Sequence, residues 1–300
     1  MSNRLFYLSA ALVLALGVVA TQIDINKFYF FAGYVVLQYV VLATAWNIMG
    51  GFMGYVNFGS AAFFAVGAYT TVVLYNLGKP PLPLMILAGG VAAGLIGLGT
   101  GYLTLRLRGV FFSIATLALA IVLETLIINW RFVGGASGAY ILRPREVAFF
   151  GDYVVFLFVV MLFIAIVAVA TARYIENSKI GRGLQAIRDD EGAAEVMGVP
   201  TLRLKLLATT ISGFFMGLAG APFPYYVNFV EPSSAFNLIY AVNSIAMPMI
   251  GGATTWIGPV IGALVLGIAQ QVSTVTISSE INLLIVGVLL VTFVIVAPGG

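Results

Sequence analysis

Four acids fall within seven residues, at Asp189, Asp190, Glu191 and Glu195, inside the stretch "GRGLQAIRDDEGAAEVMGVP" (181–200). Clusters of this kind can hold Mg²⁺ on a diphosphate, because hard cations take carboxylate oxygens. Such chemistry needs a second acidic motif facing the first. The remaining acids, Asp24, Glu124, Glu146, Asp152, Glu176, Glu231 and Glu280, stand singly. The chain has no Cys and no His, which removes thiolate and imidazole metal sites, cysteine nucleophiles and histidine bases. A G-x-x-x-x-G-K-[ST] loop for nucleotide phosphates is absent too. The sequence therefore assigns no catalytic residue, no metal site and no cofactor of its own.

The charged stretch stands in an oily chain. Of 300 residues, 61% are hydrophobic and 8% charged, and the mean hydropathy is +1.08. Several runs approach or exceed the roughly 18–20 apolar residues that cross a bilayer, without the polar stripe of a soluble core helix. Apolar segments read as 5–20, 28–49, 58–77, 82–103, 109–130, 153–175, 204–222, 237–250, 258–275 and 281–297. The expected fold is an all-α polytopic membrane protein of about ten transmembrane helices. It forms a single transmembrane domain over 1–300, with a cytoplasmic loop at 176–203. The first segment could be a signal peptide, but its run from Leu5 to Ala20 is long for one, and it reads as a retained helix.

Orientation follows from Lys and Arg near helix ends. Arg173, Lys179, Arg182, Arg188, Arg203 and Lys205 flank or lie in the charged loop, and Arg106 and Arg108 sit in the 104–108 turn. Two helices separate these regions, so they share a side, expected to be cytoplasmic together with both termini. The loop 131–152, with Arg131, Arg143 and Arg145, is then external, a weak counter-signal. An excess of 14 basic over 11 acidic residues fits this bias and does not indicate nucleic-acid binding.

Two stretches, "GGFMGYVNFGSAAF" (50–63) and "GGATTWIGPVIGAL" (251–264), interrupt apolar runs with Gly. Aligned on their paired Gly they share an aromatic, Tyr55 and Trp256, then a β-branched residue, Val56 and Ile257. Broken backbone at membrane depth is tolerated only against protein or a water-filled path, and paired broken segments mark solute routes in transporters. The rival reading is close helix packing through small residues. Asn47, Asn57, Ser60 and Asn243 are the polar pathway candidates here. Glu124, the clear carboxylate within a span, is a fifth; Asn129 or Arg131 could instead satisfy it.

The charged loop has helical spacing. Ser178 can cap it, Leu184, Ile187, Ala194 and Met197 fall on or near one face, and Gly198 with Pro200 supplies a stop. This predicts one short amphipathic helix lying against another protein, or else a solvated loop.

Here the sequence resembles a known family. "SKIGRGLQAIRDDEGAAEVMGVPTLRLKLLATTISGFFMGLAGA" (178–221) is similar to the signature region of inner-membrane permease subunits of branched-chain amino-acid ABC transporters, of the LivM type. "LATAWNIMGGFMGYVNFGSAAFFAVGAYT" (42–70), "LTLRLRGVFFSIATLALAIVLETLIINW" (103–130) and "IGGATTWIGPVIGALVL" (250–266) resemble that family's segments in the same order. The resemblance implies an ABC importer permease fold in a bacterial or archaeal inner membrane. Its partners would be cytoplasmic ATPase subunits holding ATP and Mg²⁺, a second homologous permease, an extracytoplasmic (periplasmic) binding protein and membrane lipid. It also implies that the charged loop docks on the ATPase, with Arg188, Asp189, Glu191, Ala193, Ala194 and Gly198 as coupling residues. The pattern E-A-A-x-x-x-G is met only as A-A-x-x-x-G, with Gly192 in place of Glu. Ser60 stands where the family often has His, so titration is lost there and hydrogen bonding remains. Import of urea or short amides by the same architecture is the nearest alternative. A secondary transporter would need more ionisable groups in the spans than Glu124 supplies.

Overall fold

In lipid every backbone N–H and C=O must be satisfied within the segment, so long apolar runs close into helices. The computed structural model describes residues 3–23, 26–104, 107, 109–144, 146–147, 150–276 and 287–288. Its helices are α1 (Asn3–Ala20), α2 (Lys27–Met53), α3 (Ser60–Leu77), α4 (Leu82–Thr104), α5 (Val110–Asn129), α6 (Tyr153–Glu176), α7 (Lys179–Asp189), α8 (Glu191–Val196), α9 (Thr201–Gly220), α10 (Phe223–Val227), α11 (Pro232–Ala235), α12 (Leu238–Gly251) and α13 (Gly258–Thr276).

Each apolar segment between 5 and 275 meets one of these helices within a few residues. Among the described residues, seven stretches are long and apolar enough to cross a membrane. Two shorter apolar ones, Arg4–Ala20 and Gly258–Thr274, belong to α1 and α13. The protein is a multi-pass membrane protein. The expected tenth segment, 281–297, lies outside the described residues apart from 287–288, as do Arg106, Arg108 and Arg145.

The bundle has two distinct ends. At one, α7 and α8 fold as a hairpin between α6 and α9. At the other, short antiparallel strand pairs close the connections: β1 (Ala139–Tyr140) with β4 (Phe229–Val230), and β2 (Glu146–Val147) with β3 (Gly151–Asp152). Asp152 also caps α6, accepting from the Val154 N–H at 2.9 Å, and meets Lys27 at 3.0 Å. Burial pushes its carboxyl up, but the Val154 N–H, Lys27 and Arg143 outweigh that and hold it below the ordinary carboxylate range.

The helix α2 is the central post, with every residue from Gln38 to Met49 buried against α6, α9, α12 and α13. Small residues let α3, α4 and α9 approach closely. A Cβ on Gly217 of α9 would come within 2.5 Å of the Ala93 Cβ on α4 and 2.6 Å of the Gly89 carbonyl. By contrast α5 is loosely held, burying only Phe112, Thr116 and Ala120, a single i, i+4, i+8 stripe.

The termini of the charged hairpin follow its sequence. Ser178 caps α7, its hydroxyl accepting from the N–H of Ile180 at 3.1 Å and of Gly181 at 3.3 Å. The expected single helix through Met197 is instead two. Asp190 adopts an extended conformation, φ −159° and ψ 108°, because it ends one helix and begins the next. Its N–H donates to the Ala186 carbonyl at 3.1 Å, and its carboxylate accepts from the Ala193 N–H at 3.0 Å. Asp is a strong N-cap former, since its side chain satisfies one of the orphan donors of a first turn.

Candidate functional site

The hairpin buries Leu184, Ile187 and Ala194. Leu184 and Ile187 join a cluster with Ile48, Met49, Phe52 and Met53 at the end of α2 and Ile175 at the end of α6. Met197, expected on that apolar face, is 83% exposed, and Val196 is 87% exposed. The kink at Asp190 turns the end of α8 away from the bundle.

Several charges of the loop nevertheless contact the rest of the bundle. The Glu191 carboxylate accepts from the Tyr55 hydroxyl at 2.6 Å and pairs with Lys205 of α9. The Lys205 side chain is 3% exposed and that of Glu191 is 12% exposed. The same ammonium lies 4.8 Å from the centre of the Tyr55 ring. A lysine so deeply buried requires a counter-charge. The Arg188 guanidinium donates to the Gly51 carbonyl at 3.2 Å, while its stem lies across Gly54. Glu195 accepts from the Thr201 hydroxyl at 2.8 Å. Asp189 faces outward, with its side chain 72% exposed.

These inward contacts converge on the turn 54–59 between α2 and α3. A second turn, 252–257 between α12 and α13, lies beside it. The Asn47 amide donates to the Thr255 carbonyl at 3.0 Å, and a Cβ on Gly51 would collide with the Ala253 carbonyl oxygen and Asn47 Oδ1. Only glycine allows the two turns to meet there. The Trp256 N–H donates to Glu176 at 2.9 Å, tying the second turn to the end of α6. Arg173 of α6 packs between Phe6 and Trp256, 4.4 and 5.3 Å from their ring centres, so α1 is locked onto the same end.

Both Gly-rich stretches are therefore helix–helix turns at the hairpin end, not breaks midway along a span. For the first stretch the physical reason is length. At 1.5 Å per residue the 27 residues of α2 run about 40 Å, more than the roughly 30 Å hydrocarbon core, before the chain reaches Gly54.

The pathway candidates do not gather at one place. Asn47 and Asn57 serve the turns. Asn57 Oδ1 accepts from the Gly59 N–H at 2.7 Å, and its carbonyl accepts from the Trp46 indole at 2.9 Å. Ser60 opens α3, fully buried, its hydroxyl without a partner among the described residues. Asn243 accepts from Gln270 at 3.0 Å between α12 and α13. Glu124 is half-buried on α5 toward the strand end; of the two partners suggested for it, Asn129 or Arg131, the Asn129 amide donates to the Thr125 carbonyl, at 2.8 Å. Gly198 has φ +84°, a conformation that favours glycine, just past α8. Asp190, Tyr55, Lys205 and Glu176 are not among the site residues expected from sequence. Asp190 carries a legible signal, a cap-forming acid ahead of a short helix; the others carry none without the fold.

The arrangement thus combines an exposed tip, a buried ion pair and two turns held by hydrogen bonds. The profile of the permease component of branched-chain amino acid transport systems matches residues 28–294. The chain belongs to that family. The LivM permease protein of the high-affinity branched-chain amino acid transport system of Escherichia coli (strain K12) is 30% identical over 291 residues, covering 87% of this permease and 67% of that protein. The corresponding LivH protein of the same strain is 24% identical, over 87% and 90%. BraD of Pseudomonas aeruginosa is 20% identical, over 77% and 80%. In shape, an inward-facing metal-chelate type ABC transporter aligns with 98% of the permease at a TM-score of 0.44 and 15% identity, too distant to transfer any detail. The permease is a transport component and not an enzyme.

Proposed function

We propose that this permease is one membrane-spanning subunit of an ATP-driven importer of branched-chain or related amino acids in a bacterial or archaeal cytoplasmic membrane. Residues 1–300 act as one transmembrane domain, with 176–203 as its cytoplasmic coupling loop and both termini on that side. Separate ATPase subunits, carrying ATP and Mg²⁺, dock on the α7–α8 hairpin. A second homologous permease completes the path, and an extracytoplasmic binding protein delivers solute at the strand end.

The single observation that carries this reading is the family match along nearly the whole chain. The hairpin geometry supports the division of labour. Its outward surface offers Ala193, Val196, Met197 and Gly198 to a partner, while Arg188, Glu191 and Ala194 face the permease itself. The six coupling candidates thus split into an outer contact set and an inner transmission set. Displacement of α8 would reach α2, α3, α12 and α13 through the two turns. The test is uptake of labelled leucine, isoleucine, valine and urea by cells lacking the chain and by cells with it restored. The reading expects ATP-dependent uptake of the three amino acids to be lost and regained. Unchanged amino-acid uptake, or loss confined to urea, overturns it.

A further inference from the structure

Tyr69 lies midway along α3 at 2% exposure, and its hydroxyl oxygen is buried with no hydrogen-bond partner among the described residues. Buried tyrosine hydroxyls ordinarily find a partner. Its surroundings are mainly apolar, with two carboxylates near enough to act on it. The carboxylates of Glu124 on α5 and Glu231 ahead of α11 both act on it electrostatically. Neither carboxylate is engaged by another side chain among the described residues. Asn129 is bonded elsewhere, and Glu231 stands at the N-cap of α11 without a capping side-chain bond. Because α11 packs on both α3 and α5, the three groups converge from three elements toward the strand end.

An ionised carboxylate only accepts hydrogen bonds, and a tyrosine hydroxyl can accept as well. Two like charges beside an apolar core therefore lack a donor-rich cation. A calcium ion takes six to eight oxygen ligands, more than two carboxylates and a phenol provide, and no group of three metal-binding side chains occurs among the described residues. A primary ammonium offers three donors, one for each acceptor. We propose that Tyr69, Glu124 and Glu231 form a binding site for a primary ammonium group. Resting on the function proposed above, that group is the α-ammonium of the transported amino acid. Glu231, exposed at the surface, attracts the cation; half-buried Glu124 holds it; the Tyr69 hydroxyl sets the inner limit. Phe236, whose ring centre is 6.4 Å from that of Tyr69, supplies apolar surface beside the site for a hydrocarbon side chain.

The test uses the assembled transporter in lipid nanodiscs, titrated calorimetrically with 3-methylbutylamine, L-leucine and 4-methylpentanoate. The amine and leucine are expected to bind and the acid, which lacks the ammonium, is not. Tyr69→Phe removes only an unpartnered hydroxyl and leaves the fold intact. It and Glu124→Gln should each weaken amine binding by roughly tenfold or more, the loss of one charged hydrogen bond. Equal binding of 4-methylpentanoate, equal competition by Na⁺ or Ca²⁺, or wild-type amine affinity in both variants overturns the proposal. Leucine uptake by the wild type separates the two readings. Uptake with variants indifferent to the amine removes the site alone; amine binding without leucine uptake removes the function alone.

Discussion

Replacing Glu191 with Gln separates a buried clasp from surface decoration. The Lys205 side chain is 3% exposed and its Glu191 partner 12%. Removing one partner of a buried ion pair costs about 3–5 kcal/mol, because the remaining charge loses its counter-ion in a poor solvent. Gln keeps a carbonyl oxygen for the Tyr55 hydroxyl, 2.6 Å away in the native protein, so the loss reports chiefly on Lys205. The control is Asp189→Asn. Its pair with Arg188 spans 3.4 Å with side chains 72% and 32% exposed, and such pairs are worth about 0–1 kcal/mol. The two variants should therefore differ by at least about 2 kcal/mol, roughly thirtyfold in the folded-to-unfolded ratio. The assay is denaturant unfolding of the purified protein in detergent, followed by tryptophan fluorescence. Adding Lys205→Met to Glu191→Gln should recover much of the loss, since the unpaired charge is then gone. Equal stability of Glu191→Gln and Asp189→Asn, or a double variant no better than Glu191→Gln, would refute the clasp.

Asp190→Ala should cost about 0.5–2 kcal/mol by removing the cap of α8 and reduce ATPase co-purification, while Asp190→Asn keeps both; identical behaviour of the two would argue that the kink is not capped by this side chain. Ala194 is 5% exposed, so Ala194→Trp should disrupt the hairpin itself, whereas Ala193→Trp should leave the fold intact and weaken only the partner contact; thermal unfolding and pull-down distinguish them. The chain has no native Cys, so Gly192→Cys should react with an impermeant maleimide only after the cytoplasmic side is opened, and Tyr140→Cys from outside; the reverse pattern inverts the orientation.

Much of the fold was legible because bilayer thickness makes run length a direct reading of each span. The apolar periodicity placed α7 and its buried Leu184 and Ile187, and Ser178 was visible as its cap. What escaped depends on which way a side chain turns. Asp190 looked like one more acid in a run, yet its capping geometry breaks the helix and sends Met197 outward. Glu191 was expected to be a coupling contact, yet it pairs within the chain with Lys205 from the first turns of α9, fourteen residues on. Asn57 looked like a pathway residue, yet its amide oxygen is spent on the Gly59 N–H. Tyr69 gave no signal at all, because a tyrosine in an apolar helix is ordinary until its hydroxyl is found without a partner and beside two carboxylates.

In the function proposed here, the outward tip of the hairpin meets the ATP-hydrolysing subunits while its inner face grips the two turns. A photo-crosslinking residue placed at Met197, 83% exposed on that tip, tests it directly against one placed at Tyr140, 75% exposed at the opposite end. In intact cells the account predicts that Met197 captures the ATPase subunit and Tyr140 does not. Capture of the ATPase from Tyr140, or from neither position, would contradict it.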